Sequence, residues 1–167
     1  MHSKFLKHLK FLITSVNQHG VHSPFVYNYL TQGLYTKKIC PQSKTIDVLL
    51  KSISYFECKN LQILDDSSLQ AIVSQKFPDM QFGQIPSDII YCDMINPHLF
   101  SEVLPKEDHI HKNSLLLLDS IYRNNESERL WNEIKADESV TVTLDLFFCG
   151  LVFFRKEQAK EHFKIRI

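Results

Sequence analysis

Near the amino terminus, Phe5, Leu6, Leu9, Leu12, Ile13 and Val16 recur at spacings of three and four, with Lys4, Lys7 and His8 off that stripe. The period predicts an amphipathic helix over 4–17, its lysine-bearing side being the solvated one. His19-Gly20-Val21-His22 breaks the pattern, and Ser23-Pro24 reads as a helix cap followed by proline in the first turn. A second helix is expected over 24–34, with Phe25, Tyr29 and Leu30 inward. A third is expected over 43–56, where Ile46, Leu49, Leu50, Ile53 and Phe56 repeat at helical spacing.

After that the period changes. Short apolar runs that end in an acid occur at 61–65, 88–93 and 114–119, and read as strands. The last, Ser114-Leu115-Leu116-Leu117-Leu118-Asp119, is almost wholly apolar, as expected of a strand covered on both faces. Helices are expected between them, from Ser67 or Ser68 to about residue 76 and over 97–104, with another over 127–136 around Leu130, Trp131 and Ile134. Residues 140–146 alternate cleanly and 151–155 follow so closely that the two can pair only antiparallel. The tail, 157–167, reads as a helix and then a strand. Parallel strands separated by helices and closed by an antiparallel hairpin give an α/β layout with a mostly parallel sheet. The one boundary falls near Asn60, dividing a helical extension (1–59) from the α/β domain (60–167).

Composition narrows this picture. The 167 residues are 44% hydrophobic and 23% charged, which excludes wholesale disorder. Nineteen basic and nineteen acidic side chains cancel, so no overall charge draws the chain to nucleic acid or membrane, and neither is expected as a partner. Cys40, Cys58, Cys92 and Cys149 stand far apart, which argues against a zinc knuckle or disulfide framework and for reduced thiols in the cytoplasm. The four glycines are scattered, which excludes a Walker loop and a Gly-x-Gly-x-x-Gly fingerprint. His109-Ile110-His111 has the alternate spacing of two metal ligands on one strand, but with only His98 nearby an exposed loop is the expected reading. His19 and His22 fit a helix joint, and Cys92 a core thiol.

Two segments carry a resemblance. His19-Gly20-Val21-His22-Ser23-Pro24-Phe25-Val26-Tyr27 is one. The stronger is Trp131-Asn132-Glu133-Ile134-Lys135 with Val140-Thr141-Val142-Thr143-Leu144-Asp145-Leu146-Phe147-Phe148, Gly150-Leu151-Val152-Phe153-Phe154-Arg155-Lys156-Glu157-Gln158 and Phe163-Lys164-Ile165-Arg166. They resemble a bacterial group of class I S-adenosylmethionine-dependent methyltransferases with a helical amino-terminal extension, across roughly half the chain. The resemblance implies a Rossmann-like methyltransferase fold. By analogy its strands run first, second, third, then the final hairpin strand, with that strand's partner at the edge.

The middle of the chain departs from the family. Where an intact member has a glycine-containing loop after its first strand, this chain has Asp65-Asp66-Ser67-Ser68-Leu69-Gln70. Side chains there crowd the path of the cofactor's methionine end, and any residue needing positive φ would be strained. Between Asp66 and Cys92 there is also too little chain for the further strand-and-helix units of the family, each about 30 residues or more. Residues 80–85 can form a short edge strand, but Pro86 and Ser87 are too few for a parallel crossover. Those units carry the acid that holds the adenosine ribose. The expected fold is therefore truncated.

By resemblance, the remnant cofactor positions are Asp65, Asp66, Ser67 and Asp93. Asp93 and Asp119 match the strand-end acids that hold a divalent ion in metal-dependent O-methyltransferases, but Ser120 stands where a third acid or amide is usual, which makes a weak site for a hard cation. The resulting expectation is a degenerate methyltransferase-like protein without effective cofactor binding, a pseudoenzyme acting through protein contacts, with self-association or a protein partner covering an exposed first strand. The alternative is an active small-molecule methyltransferase, such as an O-methyltransferase, binding S-adenosylmethionine, its pocket completed by the amino-terminal helices or a second subunit.

Overall fold

A computed structural model describes residues 2–64, 67–93 and 107–167. Seven strands form one sheet: β1 Asn60–Leu64, β2 Gln81–Phe82, β3 Ser87–Asp93, β4 Ile110–Asp119, β5 Val142–Asp145, β6 Cys149–Phe153 and β7 Glu161–Lys164. Their order across the sheet is β2-β1-β3-β4-β6-β5-β7. β6 alone runs against its neighbours, pairing antiparallel with both β4 and β5, while the other pairings are parallel. The fold is thus mixed α/β with a mostly parallel sheet, and five of its strands stand in the expected sequence.

Both edges differ from expectation. At one, β5 is covered by β7, which pairs from Val142↔Glu161 to Asp145↔Lys164. The residues before β7 form a turn instead of the expected helix. At the other edge β2 is parallel to β1, and the chain reaches β3 on the far side of β1 through Gly83, Gln84, Ile85 and Pro86 alone. Four residues suffice because β2 is two residues long, so the chain has almost no strand length to retrace. Gly83 turns the chain at φ +73°, a conformation that glycine adopts without strain. The link then passes beneath the start of β1, where the Asn60 side-chain amide donates to the carbonyls of Gln84 (2.9 Å) and Pro86 (3.1 Å).

The helices are α1 His2–Thr14, α2 Pro24–Tyr29 (continued by a wider turn, Leu30–Leu34), α3 Lys44–Tyr55, α4 Ser67–Lys76 and α5 Asn125–Ala136. Side chains of Ser23, Ser43 and Asn124 cap the starts of α2, α3 and α5 by accepting from backbone N–H groups in the first turn. The expected 97–104 helix lies outside the described residues. Helices α2, α3 and α4 bury Val26, Tyr29, Leu30, Leu49, Ile53, Leu69 and Val73 against one face of the sheet, with Leu61, Ile89, Leu117, Leu144 and Phe153. On the opposite face α5 packs Trp131 and Ile134 on Ile90, Leu116, Leu118 and Val152. This two-sided cover explains why Leu115–Leu118 are uninterruptedly apolar.

Helix α1 is the exception. Phe11 is buried, whereas Phe5, Leu6, Leu9 and Ile13 are exposed. The sequence shows that a stripe exists and the lysines off it predict that it faces inward; in the structure it faces outward, because Phe11 on the other side packs against Phe147. No helix among the described residues is long and apolar enough to cross a membrane.

Candidate functional site

The parallel strands β3 and β4 both end in an acid, placing Asp93 and Asp119 side by side in the ladder at the carboxyl edge of the sheet. In open α/β sheets this edge is where ligands bind. Beside it lies a cavity of about 290 Å³ walled by Lys44, Thr45, Asp119, Tyr122, Arg123 and Phe148. A second, more apolar cavity of about 260 Å³ shares Lys44 and Phe148 with it and reaches toward Leu34, Tyr35 and Pro41.

Asp119 is the hub of this edge. Its carboxylate accepts from Thr45 Oγ1 at 2.8 Å, from Tyr91 Oη at 3.2 Å and from Ser120 Oγ at 3.3 Å. Thr45 stands in the first turn of α3, so the amino-terminal helices are tied directly to the end of β4. Asp93 instead faces the Arg123 guanidinium at 3.3 Å, and the same guanidinium donates to Ser120 Oγ. An arginine therefore stands beside the acid that the metal reading needs, and Asp119 is already bonded through both its oxygens. Among the described residues no three His, Cys, Asp or Glu side chains are grouped as metal ligands. Asp65 and Asp66 lie outside the described residues. Ser67 begins α4, and its side chain is not described.

Two non-glycine residues at this edge adopt left-handed backbone angles, Ser120 (φ 60°) and Phe147 (φ 71°). The Ser120 N–H donates to the carbonyl of Phe148 at 2.7 Å, locking the two loops together. Such conformations cost about 1–3 kcal/mol each and persist only where their surroundings over-determine them. Phe147 supplies those surroundings: its ring stacks on Tyr122 at 5.3 Å and meets Phe11 and His8 of α1.

Below the edge is a hydrogen-bonded pair, Asp145 buried and Tyr122 half-buried, that spacing does not reveal. Tyr122 Oη donates to Asp145 Oδ2 at 2.5 Å, and the Phe147 N–H donates to Asp145 Oδ1 at 2.9 Å. Burial pushes the Asp145 carboxyl above the ordinary carboxylate range, despite the hydrogen bonds from Tyr122 and Phe147 and the nearby Lys164 and Lys135. Burial and the Asp145 charge both push the Tyr122 hydroxyl up, so the phenol stays protonated. The alternation of 140–146 marks Thr143 and Asp145 as an outer, polar face, yet both are buried, because the far side of β5 is also covered. A raised carboxyl pKa in the fold means that protonation favours folding. The stabilisation is complete below the unfolded value of about 4 and is lost as pH rises through the folded value. Asp145→Asn keeps an acceptor for Phe147 N–H and offers an N–H to the Tyr122 oxygen. Its melting temperature is expected to lose this part of the pH dependence and to equal or exceed the parent's at pH 7, as followed by circular dichroism across a pH series.

The remaining candidates are placed singly. His111 Nε2 lies 3.2 Å from Asp88 Oδ1, and the other Asp88 oxygen accepts the N–H groups of Lys59 and Asn60. His109 ends a short 3₁₀ turn, Glu107–His109. The four cysteines are thiols and not disulfides, and Cys92 and Cys149 are buried. Burial, with the Asp88 charge, pushes the Cys58 thiol up to about 12, which leaves it without nucleophilic thiolate at neutral pH. Thr45, Tyr91, Arg123, Tyr122 and Asp145 were not singled out in the sequence. No spacing marks them, because their partners lie on other elements.

No protein-family model matches the chain, and neither curated proteins nor solved structures give a match. The functional reading therefore rests on the residues and their arrangement.

Proposed function

We propose that the chain is a degenerate S-adenosylmethionine-dependent methyltransferase-like domain, truncated on one side of its sheet, which acts through protein contacts without effective cofactor binding. The observation that carries this reading is the link from β2 to β3. Gly83–Pro86 has no helix and no strand where an intact member of that family has the units that hold adenosine. The strand beside β1 ends at Phe82 and is followed by Gly83 and Gln84, with no carboxylate to take a ribose. Asp93 is engaged by Arg123. On this reading the residues present do not fit S-adenosylmethionine.

The order β1-β3-β4-β6-β5 with a reversed β6 supports the resemblance, since it is the order the resemblance implies. Support for protein contacts comes from β1. β2 pairs only with Asn60 and Leu61, so Gln62–Leu64 has β3 on one side and no described strand on the other. A half-open edge is what an extended segment of another chain, or of a second copy, adds to.

One observation favours the enzyme reading: the cavity at Asp119 is walled by α3, as a pocket completed by amino-terminal helices requires. Titration calorimetry of the full chain with S-adenosylmethionine and S-adenosylhomocysteine separates the two. No saturable heat is expected with ligand at about 1 mM, whereas saturation near about 1 μM would make the chain a cofactor-binding methyltransferase.

A further inference from the structure

The outward face of α1 is apolar. Phe5, Leu9 and Ile13 follow one another at intervals of four, with Leu6 beside them, and their exposures are 68%, 46%, 77% and, for Leu6, 61%. These four are nearly half of the large exposed hydrophobic side chains among the described residues, gathered on one helix. The opposite side of α1 holds it to the body. Phe11 packs on Phe147 at 5.4 Å, Ser15 is buried, and Lys7 pairs with Glu128 of α5. The helix is thus anchored in one orientation and cannot roll its apolar stripe inward without giving up these contacts.

The charge of the helix states what covers that stripe. α1 contains His2, Lys4, Lys7, His8 and Lys10 and no acidic residue, although the whole chain is neutral. Lys10 lies one turn after Leu6 on the flank of the stripe, is exposed, and makes no ion pair among the described residues. An apolar stripe flanked by an exposed lysine, on a helix with no acidic residue, is the form of a helix lying in a membrane interface, with the hydrocarbon side chains in the acyl region and the ammonium group at anionic headgroups. A second copy fits less well. Two α1 helices brought together stripe to stripe would bring their Lys10 side chains to one seam, with no acid on α1 to meet them. Four side chains of this size also offer only on the order of 400 Å² per copy, or about 800 Å² in all, below the ~1,200 Å² of stable interfaces.

We propose that α1 docks the protein on an anionic lipid surface, lying along it rather than crossing it. This goes beyond the methyltransferase-like reading and does not depend on it. The overall charge balance excluded a membrane partner only in sum; α1 itself carries three lysines and no acid.

The test is co-sedimentation of the full chain with vesicles of phosphatidylcholine alone and of phosphatidylcholine containing ~30% phosphatidylserine. The expected result is partition onto the phosphatidylserine vesicles that exceeds partition onto phosphatidylcholine alone by about tenfold and weakens as salt is raised. Leu9→Ser with Ile13→Ser removes binding, and Lys10→Glu weakens it about fivefold or more. Both changes fall on exposed side chains, and melting curves matching the parent's establish that each variant is folded. Absence of binding to the phosphatidylserine vesicles overturns the proposal. So does undiminished binding by the Leu9→Ser, Ile13→Ser variant, or a dimer in light scattering that this variant dissolves while the parent binds no vesicles.

Discussion

Lys51→Met is expected to destabilise the fold by about 3–5 kcal/mol, read as a fall in the urea midpoint at pH 7 and a loss of about 10 °C or more in melting temperature. The cause is a buried ion pair inside α3. Lys51 Nζ, on a side chain 5% exposed, lies 2.9 Å from Asp47 Oδ2 and donates to the carbonyls of Leu34 and Thr36 at 2.9 Å each. The other Asp47 oxygen accepts the N–H groups of Ile39 (2.6 Å) and Cys40 (2.9 Å). The pair therefore pins the whole loop between α2 and α3. Removing the ammonium leaves a carboxylate and two carbonyls buried without their cation, which costs more than the pair itself contributes.

Acid separates this from a mere packing loss. Burial pushes the Asp47 carboxyl up, but the N–H of Cys40, the Lys51 ammonium and the N–H of Ile39 outweigh it and hold the carboxyl below its ordinary value. A depressed folded value means stability that is present above the unfolded value of about 4 and lost as pH falls through the folded one. Lys51→Met is expected to lose part of that acid sensitivity, so the gap between variant and parent narrows on acidification. This sign is opposite to that of Asp145, whose protonation favours the fold.

Gly150→Val is the second large effect, with about 3 kcal/mol of destabilisation expected in urea melts. A Cβ at Gly150 would stand 2.7 and 2.8 Å from Trp131 Cζ3 and Cη2, and 3.2 Å from Ile121 Cγ2. Trp131 is fully buried between α5 and the sheet, so its ring has nowhere to move. Strand β6 is also held on both sides, with Gly150 opposite Leu118 on β4 and Asp145 on β5. Trp131→Leu creates a cavity when made alone, yet in the Gly150→Val background it makes room for the new side chain. The double variant is expected to lose less than the two single losses added together, by about 1 kcal/mol or more.

Much of this architecture is legible in the residues, because periodicity and burial agree. The Leu115–Leu118 run declares a strand covered twice. Serines at 23 and 43 declare helix starts, and the short turn between 146 and 151 admits only antiparallel pairing. Where the sequence misleads, a tertiary neighbour decides. Thr143 and Asp145 have the polarity of an outer face but lie under cover, Asp145 because Tyr122 satisfies its carboxylate from 23 residues away. The two residues of β2 are too few to show a period, and β7 is read as strand only after a helix that the chain does not form. At the candidate site the strand-end acids were visible from spacing, while their partners were not. Thr45 reaches Asp119 from 74 residues away, and Arg123 meets Asp93 across a segment whose length carries no contact information.

The sheet order also sets the sequence in which entropy is lost during folding. β5 and β6 are joined by three residues, so closing that hairpin costs the least loop entropy of any pair in the sheet. β4 then adds to β6 across a loop that is largely α5, which is local structure of its own. β1 reaches β3 across residues 65–86, a loop as long as the one between β4 and β5 and likewise largely helix, and β2 depends on β1 for its place. β4, β5, β6 and α5 form one contiguous unit around Trp131, to which β3 adds Ile90 and Cys92 and the β1–β2 flank adds only Leu64. The four-residue link Gly83–Pro86 thus lies at the end of the sheet away from that unit, so a change in its length alters the β1–β2 flank and leaves the packing around Trp131 to the other strands.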